Sequence, residues 1–401
     1  MRLLWVKLGG LWPPTSGGRL RSFHLVRELS KKNEVTLVTT HAPGDENGLA
    51  ERLPSCAVVS VPHEAPRQGS AAFLGALAAS WASPLPVDLW KWRVPGLARR
   101  IGELVAEVRP DICIADFLVA VPNIPVNAHV PTVLFEHNVE HMIWRRLALV
   151  ERRLLRRGLL EVEWRKMRRF EARACRNAAL TVAVSKADAT LLETYAPEGT
   201  FRDVPTGVDT DYFQPSSAGE VPGEIAFLGS MDWFPNEDGA RYFIEEILPE
   251  VRRAVPGASF TVIGRNPSAG LASKAERAGV RLTGTVEDVR PLVLRAAALV
   301  VPLRIGGGTR LKIFEALAMG KAVVSTGIGA EGLPLVPGEH FIQADCPEEF
   351  ARAVANLLVD APRRRELGRN GRELVEKHHS WSEAARVFER RCEEVIHAHQ
   401  G

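Results

Sequence analysis

The sequence predicts an α/β protein of two tandem, doubly wound, Rossmann-like domains. Three observations carry that reading. Short β-branched runs alternate with helical patterns along all 401 residues. Those runs are apolar throughout, which suits strands buried on both faces of a parallel sheet. The alternation is interrupted after Ala196 by a stretch dense in proline and glycine. A chain of this length is also expected to form two cores rather than one.

The first domain is expected over residues 1–200, with strands at Leu3–Leu8, Val35–Thr39, Val58–Val61, Ile112–Ala115, Thr132–Phe135 and Leu180–Ala183. Helical patterns such as Arg21–Ser30 and Leu97–Val108 lie between them. The irregular stretch from Pro197 to Pro222 reads as the linker. The second domain, residues 205–380, has expected strands at Ile225–Leu228, Ser259–Ile263, Val280–Thr283, Leu299–Pro302 and Ala322–Ser325. A last helix near Ser382–His397, within residues 381–401, follows the second domain and is expected to pack back on the first.

Ligands of such sheets sit at the carboxyl ends of the strands, so the strand-to-helix loops are the candidates. The most informative is in Pro302–Leu333, which reads as strand end, glycine turn, helix, buried strand and a second glycine loop. Gly306, Gly307 and Gly308 remove side chains where a backbone must approach something closely, and Thr309 can cap the helix Arg310–Ala318. A helix N-terminus favours an anion through its orphan N–H groups and its dipole. Arg310 and Lys312 add positive charge to that first turn, an unfavourable placement unless a negative ligand offsets it. Glu315, one turn on, is an acceptor placed for ribose hydroxyls. The pattern describes a nucleotide-diphosphate pocket; the alternative is an ordinary helix start behind a glycine loop. The first loop, Gly9–Gly18, is neither a dinucleotide fingerprint nor a P-loop. Its Gly17 and Gly18, flanked by Arg19 and Arg21, read either as a phosphate- or sugar-facing turn or as a plain strand-to-helix connection.

Residues Arg145–Arg176 carry twelve arginines and lysines against four glutamates, interleaved with leucines. A basic amphipathic helix of this kind can lie on an anionic membrane surface; the alternative is a solvated arginine-rich helix whose leucines pack on the first sheet. Ala71–Trp92 is rich in Leu and Trp and either lines an acceptor groove or completes the core. No basic stretch has the interleaved aromatics of a nucleic-acid platform, so no nucleic-acid partner is expected. The net charge of +3 points to no polyanion on its own. Five widely spaced cysteines read as reduced thiols of a cytosol-like compartment. No leader and no membrane-spanning run are apparent, so the expected location is the cytoplasm, or the cytoplasmic face of a membrane.

Several segments fit one pattern: Gly306–Thr326 with its G-G-G-T-R-L-K and Glu315, the early P-P-x-S-G-G-x-x-R, Phe227–Trp233, Thr206–Asp209, and Glu136-His137-Asn138. Together they resemble, over essentially the whole chain, the retaining nucleotide-sugar-dependent glycosyltransferases of the GT-B fold, family 4. The resemblance implies two Rossmann-like domains facing each other across a cleft. It implies a nucleoside-diphosphate sugar, of UDP or GDP type, as donor substrate, a glycan or lipid-linked acceptor, and no further cofactor. Glu315 then matches the ribose-holding glutamate, and Arg265, Thr285 and Val286 match positions flanking the base. Gly306 to Thr309 match the turn facing diphosphate and sugar, Gly17 and Gly18 the glycine loop over the phosphates, and His137 a residue touching the donor sugar. The chain departs from the pattern twice. Many members carry a second glutamate eight positions before Glu315, where this chain has Gly307. Many also carry Arg and Lys after the first strand of the second domain, where Gly229–Asn236 has neither. The charge opposite the diphosphate would come from Arg310 and Lys312. No Asp-x-Asp metal motif is nominated, and metal independence is expected. The other reading is a non-catalytic or partner-dependent nucleotide-sugar-binding protein of the same fold.

Overall fold

The computed structural model describes residues 1–14, 16–42, 48–67, 69–125, 130–216, 219–305 and 311–400. The chain divides into two units: Met1–Pro205 with Trp381–Gly401, and Thr206–Ser380.

The first unit is built on strands β1 (Arg2–Lys7), β2 (Glu34–His41), β3 (Cys56–Pro62), β4 (Ile112–Asp116), β5 (Thr132–Glu136), β6 (Leu180–Ala183) and β7 (Phe201–Asp203). They form one seven-stranded sheet in the order β3-β2-β1-β4-β5-β6-β7. Every pairing is parallel. The order reverses between β1 and β4, the point where such sheets bind ligands. Leu4, Val6, Cys113 and Leu134 pack on one side with Leu97, Ile101 and Met167. An aromatic group is buried with Trp5 and Phe135: Phe388 of the final helix, Trp381–Gln400, lies 5.3 Å from Trp5 and 5.1 Å from Phe135. That helix runs beside the first one, Gly17–Leu29, where His24 stacks on Trp381 at 4.9 Å.

In the second unit β8 (Glu224–Leu228), β9 (Ser259–Ile263), β10 (Arg281–Leu282), β11 (Ala298–Val301), β12 (Val323–Ser325) and β13 (Ile342–Gln343) form a parallel six-stranded sheet. Its order is β10-β9-β8-β11-β12-β13, with the reversal between β8 and β11. Phe243, Phe260 and Phe350 join the helices to this sheet, with Phe243 and Phe260 at 4.4 Å.

Two strands escape the sequence reading. Phe201–Asp203 lies inside the stretch taken as linker, yet pairs with β6. Ile342–Gln343 pairs with β12. Both are two or three residues long at a sheet edge, too short for an apolar run to mark them. The expected strand Val280–Thr283 shrinks to Arg281–Leu282. The basic segment forms two helices, Glu140–Val150 and Leu154–Asn177. All five cysteines are free.

Replacing the fully buried Phe388 by alanine removes the ring that joins the final helix to Trp5 and Phe135. A loss of about 3–5 kcal/mol is expected for Phe388→Ala, read by urea denaturation; a change under about 1 kcal/mol would contradict this packing.

Candidate active site

Charged residues collect at the carboxyl ends of β1, β4 and β5. Lys7 ends β1 and pairs in register with Asp116, the end of β4. Asp116 is fully buried; its Oδ2 accepts from Trp5 Nε1 and its Oδ1 faces His137 Nε2, both at 2.8 Å. Arg21 Nη1, on the first helix, lies 3.2 Å from His137 Nδ1. Arginine can only donate and a carboxylate can only accept. His137 is therefore the neutral tautomer with its proton on Nε2. Burial pulls its pKa from 6.5 to about 4, with Arg21 and Lys7 adding, against the opposing pull of Asp116. Burial resists ionisation of Asp116 too, but His137 and Lys7 outweigh it and hold that carboxyl low. The Lys7 ammonium is lowered by burial despite Asp116.

Phe117 follows β4 with φ of +70°, a strained conformation for a bulky residue. Its ring stacks on His137 at 3.8 Å. It also explains Gly18: a Cβ there would lie 2.3 Å from Phe117 Cζ. Gly17 and Gly18 open the first helix, and Ser16 caps it by accepting from Arg19 N. Arg21, expected beside the glycine turn, is instead buried against His137, because its guanidinium completes the network around Asp116. His137 is 2% exposed with both ring nitrogens engaged, so it braces Asp116 and Arg21.

Behind it, Glu136 is buried with neither carboxyl oxygen bonded; burial, then Glu171 and Glu140, push its pKa well up. Glu171 accepts from the backbone N–H of Glu140 at 2.7 Å and of His141 at 3.2 Å, capping that helix. A cavity of about 160 Å³ opens nearby, lined by Asp88, Lys91, Trp92, Phe117, Glu140 and Met167 among others. Asp88, Leu89, Lys91 and Trp92 are the parts of the Ala71–Trp92 stretch that line it. Burial and then Glu171 raise Glu140 to about 7.

In the second unit the loop after β8 is the focus. Gly229 receives no side chain because Lys312 and Asn236 fill its space: a Cβ would meet Lys312 Nζ at 2.8 Å and Asn236 at 2.7 Å. Lys312 Nζ donates to Asn236 Oδ1 at 2.6 Å and lies 4.5 Å above the Phe227 ring. The segment Gly229–Asn236 lacks basic residues, and Lys312 of the helix Leu311–Ala318 supplies an ammonium to it. Glu315, one turn later, is half-buried, and desolvation raises it to about 7 against the nearby Lys312. Gly264 follows β9 and forms an antiparallel bridge with Gly284, the residue before Thr285 and Val286. Arg265 Nε donates to Ser230 Oγ at 2.8 Å, which ties the loop after β9 to the Gly229 loop. A Cβ on Gly264 would lie 1.7 Å from Gly229 O, which makes glycine obligatory there. Gly306, Gly307, Gly308, Thr309 and Arg310 lie outside the described residues.

Lys7, Arg21 and Asp116 were not singled out as a group by the sequence. Their signal is a charge ending an apolar strand, as in LLWVK and ICIAD.

A family model described as Glycosyltransferase Family 4 matches residues 15–212, and one described as Glycosyl transferases group 1 matches residues 222–360. Among curated relatives, a D-inositol 3-phosphate glycosyltransferase of Segniliparus rotundus is 30% identical over 191 residues, covering 42% of this chain and 41% of the relative. A GDP-mannose-dependent alpha-(1-6)-phosphatidylinositol monomannoside mannosyltransferase of Mycobacterium tuberculosis is 26% identical over 213 residues, 48% of this chain and 55% of the relative. The alignments thus span about two fifths to just over half of these relatives' lengths. Among solved structures, the sucrose-phosphate synthase of Thermosynechococcus elongatus superposes with a TM-score of 0.75 at 16% identity, covering 99% of each chain. HepE of Anabaena, solved in complex with UDP and glucose, gives 0.68 at 15% identity, covering 98% of this chain and 99% of that one.

The pKa shift of His137 has a consequence for acid stability. Its folded value of about 4 lies below 6.5, so the unfolded chain binds the proton first. Its contribution to stability is complete above pH 6.5 and is lost as pH falls toward 4, by about 3 kcal/mol. Nitrogen NMR should show the Nε2–H tautomer, still neutral at pH 5; a ring that titrates near 6.5 would contradict this network.

Proposed function

Because this chain belongs to the family 4-like glycosyltransferases of the GT-B fold, we propose that it moves a sugar from a nucleoside-diphosphate donor to a glycan or lipid-linked acceptor. The donor is of UDP or GDP type, configuration is retained, and neither a metal nor a further cofactor takes part. The observation that carries the proposal is the ammonium of Lys312 held by Asn236 at Gly229, with Glu315 one turn further along the same helix.

The roles follow from the chemistry. The bond between the anomeric carbon and the phosphate oxygen breaks, and negative charge grows on the leaving diphosphate. Preorganised positive groups aimed at that charge are the largest available lever on the barrier. Lys312 and Arg310 fill that role together with the helix N-terminus and the backbone of Gly306–Thr309. The leaving phosphate can take the acceptor hydroxyl's proton, so no carboxylate pair is required. Glu315 accepts from the ribose hydroxyls, and Arg265, Thr285 and Val286 flank the base. Gly17 and Gly18 keep their place at the phosphates. His137 enters as a positioning residue through Arg21 and Asp116. We assign the acceptor to the cavity beside Phe117 and Trp92, whose lining combines Asp88, Lys91 and Glu140 with aromatic and aliphatic side chains. The relatives' names support the breadth of this choice: one names an inositol phosphate, another a phosphatidylinositol mannoside. HepE's complex with UDP and glucose supports the donor class. Free cysteines support a reducing, cytoplasmic setting.

A second reading, a nucleotide-sugar binder with no turnover of its own, is favoured by glycine at position 307, where many family members carry a glutamate. Hydrolysis of UDP- and GDP-sugars without acceptor, compared with the shift they cause in melting temperature, separates the two. A shift without hydrolysis or transfer selects the binder; no shift removes both.

Lys312→Ala and Arg310→Ala are each expected to lower turnover about a hundredfold with little change in melting temperature, and EDTA should leave wild-type turnover unchanged. Wild-type kinetics in both variants would overturn the assignment. Hydrogen bonds from ribose favour ionised Glu315, whose carboxyl stands at about 7 in the free protein. Binding then releases a proton, so affinity for a nucleotide sugar should tighten as pH rises through 7. Calorimetry should find Glu315→Gln weaker and without this dependence; an unchanged profile in the variant would refute the role.

A further inference from the structure

The helix Leu154–Asn177 begins far from any core. Every residue from Arg152 to Leu159 is exposed, and the first buried residue of the helix is Glu163. At 1.5 Å per residue the helix therefore runs about 13 Å before its first buried residue. Isolated helical turns of this length are marginal in water. This one nevertheless presents Leu154 at 83% and Leu155 at 88% exposure. Leu159 and Val162 continue the same face at helical spacing, and Leu149 and Val150 add exposed aliphatics across the turn. The alternative in which these leucines pack on the first sheet is thus not met: the buried face of the helix is formed by Glu163, Met167, Glu171, Ala174 and Cys175 instead.

The same tip is strongly basic. Arg152, Arg153, Arg156 and Arg157 surround its leucines, and the first turn of the helix contains no acid. Positive charge there opposes the helix dipole. Of these, Arg156 is paired with Glu151. Further along, the guanidinium groups of Arg145, Arg165 and Arg168 lie 5.3–5.7 Å from the ring of Trp164. Two of the segment's four glutamates, Glu163 and Glu171, are buried and offer nothing to the surface.

From this geometry we infer that the tip between the two helices, residues 149–162, docks on a membrane surface carrying anionic headgroups. Leucines enter the boundary of the acyl region while the arginines stay among the phosphates. Residues 152–159 of the tip are all exposed, so they supply no buried walls to enclose a peptide. Pairing with a second copy would bring two arginine clusters together. A bilayer of negative headgroups satisfies both halves of the surface, and interfacial helices bury their apolar face about 5–10 Å deep, within the reach of this projection. No helix among the described residues is long and apolar enough to cross the bilayer, so the contact is peripheral. The inference does not depend on the transferase reading.

The test is co-sedimentation of the full chain with vesicles of phosphatidylcholine alone or mixed with phosphatidylglycerol. Binding is expected to the mixed vesicles only, and to weaken as salt is raised. The double variant Leu154→Glu/Leu155→Glu, and separately Arg152, Arg153, Arg156 and Arg157 all changed to Gln, should each reduce binding about tenfold. Both should keep the wild-type melting temperature and donor hydrolysis. Failure of the wild-type chain to bind the mixed vesicles would overturn the inference. So would undiminished binding by the leucine variant, or a dimer in light scattering that the leucine variant abolishes while vesicles are ignored.

Discussion

A parallel strand buried on both faces has no side to offer to water, and that constraint organises each unit. It forces helices onto both faces of each sheet. It leaves only the strand ends for polar chemistry. In the first unit the ends of β1, β4 and β5 hold Lys7, Asp116 and Glu136, all buried. The buried charge of Asp116 is tolerated because Trp5 and His137 supply donors, whereas Glu136, with neither oxygen bonded, is pushed toward its neutral form. The imidazole in turn is fixed by Arg21 and stacked on Phe117, whose ring needs the space left by Gly18. One desolvated charge thus sets a tautomer, a strained backbone residue and a glycine.

The second unit meets the same constraint with close backbone approach. Gly264 lies so near Gly229 that no Cβ fits between the two loops, and backbone hydrogen bonds from Gly229 to Ile263 and from Met231 to Arg265 join them. Arg265 and Ser230 tie them by a side-chain hydrogen bond, and Asn236 carries the link to Lys312. The ammonium therefore has a rigid seat of carboxamide and aromatic ring rather than a flexible position on a surface. Such preorganisation is what a group acting on developing charge requires.

Much of this was legible in the sequence because it follows from long signals. Strands such as Leu3–Leu8 and Ser259–Ile263 are apolar runs bounded by turn residues; the structure shifts the first by one residue and keeps the second unchanged. Phe201–Asp203 and Ile342–Gln343 carry too few residues to show a period, and only pairing with a neighbour defines them. For the second unit, the lack of basic residues in Gly229–Asn236 directed attention to Lys312, since an anion site needs its charge from somewhere. The network around Asp116 was not legible. A Lys or Asp at the end of a strand looks in sequence like any surface residue, and only the fold reveals that it is buried. The leucines of the basic segment misled for the opposite reason: helical spacing of apolar residues usually means a buried face, and here the buried face is another side of the same helix.

The final helix, Trp381–Gln400, belongs to the unit with which the chain begins. Phe388 completes the aromatic cluster around Trp5, a residue made 383 positions earlier in synthesis. On the ribosome, the second unit has all its strands and helices before that piece emerges. The first sheet must wait, with one flank of Trp5 and Phe135 bare, until the second unit has been made. Its exposure to chaperones and to misassembly in that interval is set by the order of the segments along the polypeptide, and not by the stability of the finished molecule.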